Sequence, residues 1–173
     1  MIRIFMSGPS GTGKSILAKR IAKNLNILYI PNRPNYSLKA QKTKSGQLAA
    51  SLQRFQIIAD AIYLNQSFIC DRSPIDSILY DINYGFKNHK YLKDIAYNLY
   101  EQADFIINII PDREIYPIEN DGIRDIKNND NLNKLFKKYT KFLGYKYPQI
   151  KTIILKQDNF NRMERKIINF IRG

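Results

Sequence analysis

Apolar and polar positions along this chain follow two alternating rhythms. Short apolar runs at residues 2–6, 27–30, 68–71, 104–110 and 152–155 are rich in Ile and Phe and too short for buried helices, so they read as strands. Between them, apolar residues recur every three or four positions. Leu17, Ala18, Ile21, Ala22 and Leu25 form one such set, Leu48, Leu52, Phe55, Ala59 and Ile62 a second, and Phe160, Met163, Ile167 and Ile171 a third. That spacing puts each set on one face of a helix. Residues 74–84 and 91–102 also read as helical. Strands alternating with helices predict a parallel α/β sheet covered on both faces, because each parallel connection needs a crossover and the crossover helices occupy those faces. A ligand of such a sheet is expected beyond the carboxyl ends of its strands. No repeat and no linker divides the 173 residues, so one domain over 1–173 is expected.

The first strand runs straight into Gly8-Pro9-Ser10-Gly11-Thr12-Gly13-Lys14-Ser15, a complete G-x-x-x-x-G-K-[ST] phosphate loop. Its glycines let the backbone curl so that successive N–H groups point inward at phosphate oxygens. In that geometry Lys14 reaches the β- and γ-phosphates and the Ser15 hydroxyl ligates Mg²⁺. A helix beginning at Lys14 adds its positive N-terminal end to the same anion site. The expected ligand is ATP, with Mg²⁺.

The third strand ends in Phe68-Ile69-Cys70-Asp71-Arg72-Ser73. An apolar strand ending in Asp supplies the second half of a phosphate-loop site, where the carboxylate holds Mg²⁺ or its waters. Asp71 also suits a helix start at Ser73-Pro74. The next residue discriminates further. ATP hydrolases of the motor type usually place a glutamate there to activate water, whereas this chain has Arg72, which grips anions and does no base chemistry. Asn133-Lys134-Leu135-Phe136 lacks the aspartate that would read guanine. Phosphoryl transfer to an acceptor is therefore expected over hydrolysis.

Composition sharpens the setting. Cys70 and His89 are single residues of their kinds, which leaves no internal disulfide and no Cys/His metal cluster, so a metal must take oxygen ligands. With the first strand near Ile2, no signal peptide is expected, no apolar run reaches a membrane span, and a cytoplasmic location follows. The net charge is +13, and residues 1–59 carry ten bases and no acid before Asp60. Such asymmetry suits an anionic partner beyond ATP, nucleic acid included, although A/T-biased coding alone would enrich lysine in the same way. Two polar stretches follow strands. Residues 31–45 hold two prolines and several lysines, and residues 111–131 hold Arg113, Asp121-Gly122 and Arg124. The second reads as a lid over the nucleotide.

The combination of GPSGTGKS, a helix carrying Gln53 and Arg54, and FICDRSPIDS resembles the P-loop kinases of nucleosides and nucleotides. It looks most like the thymidylate-kinase, deoxynucleoside-kinase and nicotinamide-riboside-kinase-like AAA ATPase branch. The resemblance implies five parallel strands in the order 2-3-1-4-5, an arginine-bearing lid and a homodimer as one option. It implies that Lys14 bridges the donor phosphates, that Ser15 and Asp71 serve the metal, and that Arg72 holds the acceptor. Arg113 and Arg124 would close over the transferring phosphoryl group, and Gln53 or Arg54 would meet the acceptor base.

The sequence departs from the resemblance at one corner. Nucleoside kinases of this kind carry a glutamate after the second strand to take the proton of a sugar hydroxyl; here the chain reads Ile30-Pro31-Asn32-Arg33-Pro34. A neutral hydroxyl needs a positioned base, whereas a phosphate acceptor is already an oxyanion and needs positive charge, which Arg33 supplies. A (deoxy)nucleoside monophosphate is the expected acceptor. Asp71 or Asp76 acting as base would restore hydroxyl acceptors, in a nucleoside or at a polynucleotide end or hydroxylated base. A nucleotide-dependent switch that transfers nothing is the reading outside the enzymes.

Overall fold

The computed structural model describes residues 1–32, 43–112, 114 and 126–173, the first four of the last stretch as backbone only. The strands are β1 (Arg3–Ser7), β2 (Leu28–Ile30), β3 (Phe68–Cys70), β4 (Phe105–Ile110) and β5 (Lys151–Lys156). The helices are α1 (Lys14–Leu25), α2 (Lys44–Tyr63), α3 (Pro74–Asn83), α4 (His89–Tyr100), α5 (Ile126–Lys146) and α6 (Phe160–Arg172). All strand pairs are parallel and the order is β2-β3-β1-β4-β5, as the resemblance implies.

Side chains on the central strands point alternately to two separate cores, which is why these strands read as unbroken apolar runs. Ile4, Met6, Ile69, Ile107 and Ile109 pack under Leu17 and Ile21 of α1 and Met163, Ile167 and Ile171 of α6. Phe5, Phe68, Cys70 and Ile106 face the other way, against Phe55 and Ile58 of α2, Leu79 of α3, Leu92 and Ala96 of α4 and Phe136 of α5. The expected stripe on α6 is the buried one. On α2 the buried face is rotated from the one its apolar residues predict. Leu52 is 46% exposed, while Gln47, Ser51 and Arg54 are buried beside Ala50, Phe55, Ile58 and Ala61. Gln47 and Arg54 turn inward because they pair with α3, as described below, and Ser51 donates to the Gln47 carbonyl of its own helix.

The sheet order fixes where chemistry can occur. β1 and β3 are neighbours in register, with Ile4 opposite Ile69 and Phe5 opposite Cys70. The segments that leave their carboxyl ends therefore emerge side by side. Ser73 caps α3 by accepting from the Asp76 amide at 3.2 Å, and Pro74 occupies the first turn, where no donor is needed. No helix among the described residues is long and apolar enough to cross a membrane.

Cys70 lies on β3 with no exposed surface, and burial pushes its thiol up to about 12. Thiol reagents at pH 8 are expected to leave the folded chain unlabelled and to modify it fully in denaturant. Rapid labelling of the folded protein would contradict the packing of β3.

Candidate active site

Three glycines shape the turn after β1, with φ of +130° at Gly8, +79° at Gly11 and +80° at Gly13. Gly8 must also lack a side chain, since a Cβ there would stand 2.4 Å from the Ile109 carbonyl oxygen of β4. A Cβ on Gly13 would meet the Phe160 ring of α6 at 2.5 Å. The loop is thus wedged between β4 and α6. Its lysine folds back over it: Lys14 Nζ donates to the Pro9 carbonyl at 2.5 Å and to Thr12 Oγ1 at 2.9 Å. Thr12 Oγ1 in turn donates to the same carbonyl at 3.1 Å. α1 begins at Lys14, so its unpaired amides face the arch.

At the carboxyl end of β3, Asp71 Oδ2 accepts the Ser15 hydroxyl at 2.6 Å. These two oxygens form a small, hard donor set, the kind Mg²⁺ takes alongside phosphate oxygens and water. Ser15 is exposed at the mouth of the arch while Asp71 is buried beneath it. Asp71 thus joins the serine, and the cap of α3 falls to Ser73 instead.

Arg72 turns under the loop. Its Nη1 donates to the Gly8 carbonyl at 3.2 Å and reaches Asp76 Oδ2 at 3.5 Å, and its Nη2 donates to Ser10 Oγ at 3.1 Å. The guanidinium lies 4.5 Å from the centroid of the Tyr80 ring, whose hydroxyl pairs with Ser10 Oγ at 2.9 Å. Burial works against its charge, but Tyr80, Asp76 and Asp71 outweigh that and raise its pKa above the ordinary arginine range. Asp76 has no exposed surface; it accepts from Ser7 Oγ at 2.7 Å and Ser73 Oγ at 2.6 Å. Burial raises its pKa above the usual carboxylate value, and Arg72 opposes the shift.

A second buried arginine lies behind the first. Arg54 of α2 donates to Ser77 Oγ of α3 at 2.5 Å, and Gln47 Nε2 reaches the Ser77 carbonyl at 3.5 Å. Desolvation lowers the Arg54 pKa, and the Arg72 charge lowers it further. Arg54 is therefore an interior group turned towards α3, while Gln53 beside it is half-buried.

The structure brings together Gly8, Pro9, Ser10, Gly11, Thr12, Gly13, Lys14, Ser15, Asp71 and Arg72, with Arg54 one layer back. Arg33, Arg113, Arg124 and most of the lid segment 111–131 lie outside the described residues. Residues 3–159 match the family model described as an AAA domain. The chain belongs to the AAA-domain family. No curated protein matches it in sequence. In shape, this AAA domain is similar to deoxyadenosine kinase from M. mycoides with bound dCTP (TM-score 0.73, 16% identity, 99% of each chain covered). It is also similar to thymidylate kinase from Candida albicans (TM-score 0.68, 15% identity, 99% of this chain and 91% of that one). A third likeness is to shikimate kinase from Aquifex aeolicus (TM-score 0.62, 14% identity, 99% of this chain and 97% of that one). The AAA domain therefore has the fold of P-loop kinases.

Two contributors to the site give no sequence signal. Gln157 of the AAA domain, just after β5, donates from Nε2 to the Gly11 carbonyl at 3.3 Å, and its Oε1 is buried without a partner among the described residues. Phe160 stacks against Gly13. Both act on the loop from some 146 residues away, and only the parallel crossover to β5 brings them there.

Removing the Asp76 carboxylate leaves the buried Arg72 charge unpaired. Asp76→Ala is expected to cost about 3–5 kcal/mol in denaturant unfolding. Asp76→Asn, which still accepts from Ser7 and Ser73, is expected to cost less. An unchanged unfolding midpoint for Asp76→Ala would show that Arg72 does not depend on it.

Proposed function

We propose that this AAA domain is an ATP- and Mg²⁺-dependent kinase whose acceptor is a (deoxy)nucleoside monophosphate. The observation that carries the reading is the corner where Asp71 is engaged by Ser15 and is followed by a buried arginine held under the phosphate loop. ATP hydrolases of the motor type usually place a glutamate in that position, whereas a guanidinium is a clamp for anions. The loop amides, the α1 N-terminus and Lys14 bind and orient the donor phosphates. Ser15 and Asp71 are the residues that would hold Mg²⁺, which when bound neutralises charge on the phosphate oxygens. Arg72, with Arg33, holds the acceptor phosphate, Gln53 of α2 meets its base, and Arg54, buried against Ser77, supports that face from behind. Arg113 and Arg124 serve the transferring phosphoryl group.

The choice of a phosphorylated acceptor rests on where the carboxylates lie. Asp71 is committed to Ser15, and Asp76 is enclosed by Ser7, Ser73 and Arg72. Neither stands free to deprotonate a hydroxyl. The relative named deoxyadenosine kinase supports a nucleoside-like acceptor, and the one named thymidylate kinase supports a nucleotide. A polynucleotide acceptor draws little support from the acid-free N-terminal third. Arg3 bonds Gln102, Arg20 pairs with Glu164 at 2.6 Å, Lys19 lies over Tyr29, and Lys14 and Arg54 are buried. These five bases are engaged within the domain one by one.

The test is phosphotransfer from γ-labelled ATP with Mg²⁺ to a panel of nucleosides, nucleoside monophosphates, and oligonucleotides with 5′ hydroxyl or hydroxymethylated-base ends. Label is expected on a monophosphate. Label on nucleosides or oligonucleotides alone would overturn the acceptor assignment, and no transfer to any acceptor would leave a switch. Lys14→Ala is expected to lower turnover at least about 10²-fold, the scale for losing one donor to a developing charge, with its melting curve unchanged.

A further inference from the structure

Lys137, Lys138 and Lys141 project from α5 beside the outer edge of the sheet, and all three are exposed. Among the described residues none of them has a carboxylate within ion-pair distance. Beneath them a groove of about 300 Å³ opens between α5 and the ends of β4 and β5. Its walls are apolar, formed by Ile110, Pro111, Phe136 and Ile154, and Ile154 on the edge strand is 51% exposed. Three lining residues break the pattern: Asn108 donates to Thr140 Oγ1, whereas the amide oxygen of Asn133 is buried with no hydrogen-bond partner among the described residues.

Each feature asks something different of an occupant. The walls require an apolar or flat body, and the volume, at the small end of ligand pockets, suits one of about nucleoside size. Asn133 requires an N–H or O–H donor, because a buried acceptor left unmet is penalised until one arrives. The lysines require a group with more than one negative charge. A fatty acid lacks the donor, and inorganic phosphate lacks the body. A nucleoside monophosphate has all three.

We propose that the groove between α5 and the β4–β5 edge is a second, regulatory binding site for a nucleoside monophosphate. The preference for a nucleotide over another anion of the same build rests on the kinase reading, whereas the existence of the site does not. Occupancy reaches the catalytic loop directly. Pro9 lines the groove, and its carbonyl accepts the Lys14 ammonium. Phe136 forms part of the wall and meets Tyr80 edge-on at 6.2 Å, on the side where Tyr80 supports Arg72. An occupant that shifts Pro9 or Phe136 changes how the loop holds phosphate.

The experiment is calorimetric titration of the whole chain, with a non-hydrolysable ATP analogue present. The probes are each of the four deoxynucleoside monophosphates, then inorganic phosphate and octanoate. Two variants probe the groove from its exposed rim and edge: Lys137→Glu with Lys141→Glu, and Ile154→Trp, which fills it. A monophosphate-binding event weakened at least tenfold in both variants is expected, alongside any acceptor-site event that both leave intact. If no monophosphate event responds to either variant, the proposal is wrong. It is equally wrong if phosphate or octanoate binds the groove as tightly as the monophosphates. A groove event in a chain that transfers no phosphate would sink the kinase reading and keep the site.

Discussion

The hydrogen bond from Ser15 to Asp71 depends on a property of the whole sheet. The two residues are 56 positions apart. They meet because β3 lies next to β1, in register, so the strand ends that carry them project from one edge of the sheet. Insertion of another strand between these two would separate the residues by a further strand spacing of about 4.8 Å, out of hydrogen-bond reach. The order β2-β3-β1-β4-β5 is therefore a condition on the chemistry as much as a description of shape. The Gly8 contact with the Ile109 carbonyl applies the same condition from the other side. The loop fits only where β4 flanks β1 and where no Cβ intrudes.

Arg72 extends this frame into the interior. Burying a guanidinium is costly unless its charge and its donors are met. Here they are met by the Gly8 carbonyl, Ser10, Asp76 and the face of Tyr80. Asp76 is in turn fixed by hydroxyls from β1 and from the α3 cap. One polar cluster thus ties the end of β1, the phosphate loop and the start of α3 into a single unit. The Arg72 charge lies close enough to Arg54 to disfavour its protonation.

Legibility in the sequence followed how local each feature is. The phosphate loop and the Asp71-Arg72-Ser73 corner are contiguous runs whose chemistry is written in residue types at fixed spacing. The strands were legible because burial on both faces leaves them almost wholly apolar. The inward face of α2 was not. Its apolar residues predict a stripe through Leu52, while the real interior side carries Gln47, Ser51 and Arg54, which bond Ser77 and the α2 backbone. Pattern reading assigns polar residues to solvent, and it fails where a polar cluster serves a site. Gln157 and Phe160 were hidden for a different reason. Their contacts with Gly11 and Gly13 arise from tertiary closure, with no local spacing to announce them.

The net charge of +13 illustrates the same point about counting and context. Asymmetry along the sequence suggested a track for a polyanion over the first third. Five of the ten are engaged within the domain: Lys14 and Arg54 are buried, Arg20 pairs across to α6, Arg3 bonds Gln102 just after α4, and Lys19 lies over a tyrosine. Lys137, Lys138 and Lys141 come from a second acid-free run, residues 131–157 with seven lysines, and these three gather on one helix face over an apolar groove. Desolvation and shape decide which positive charges can recognise an anion, because exposed and separated charges are screened by solvent and salt. Arg72 meets that condition by its burial under the phosphate loop, and the exposed lysines of α5 meet it through the apolar groove beside them.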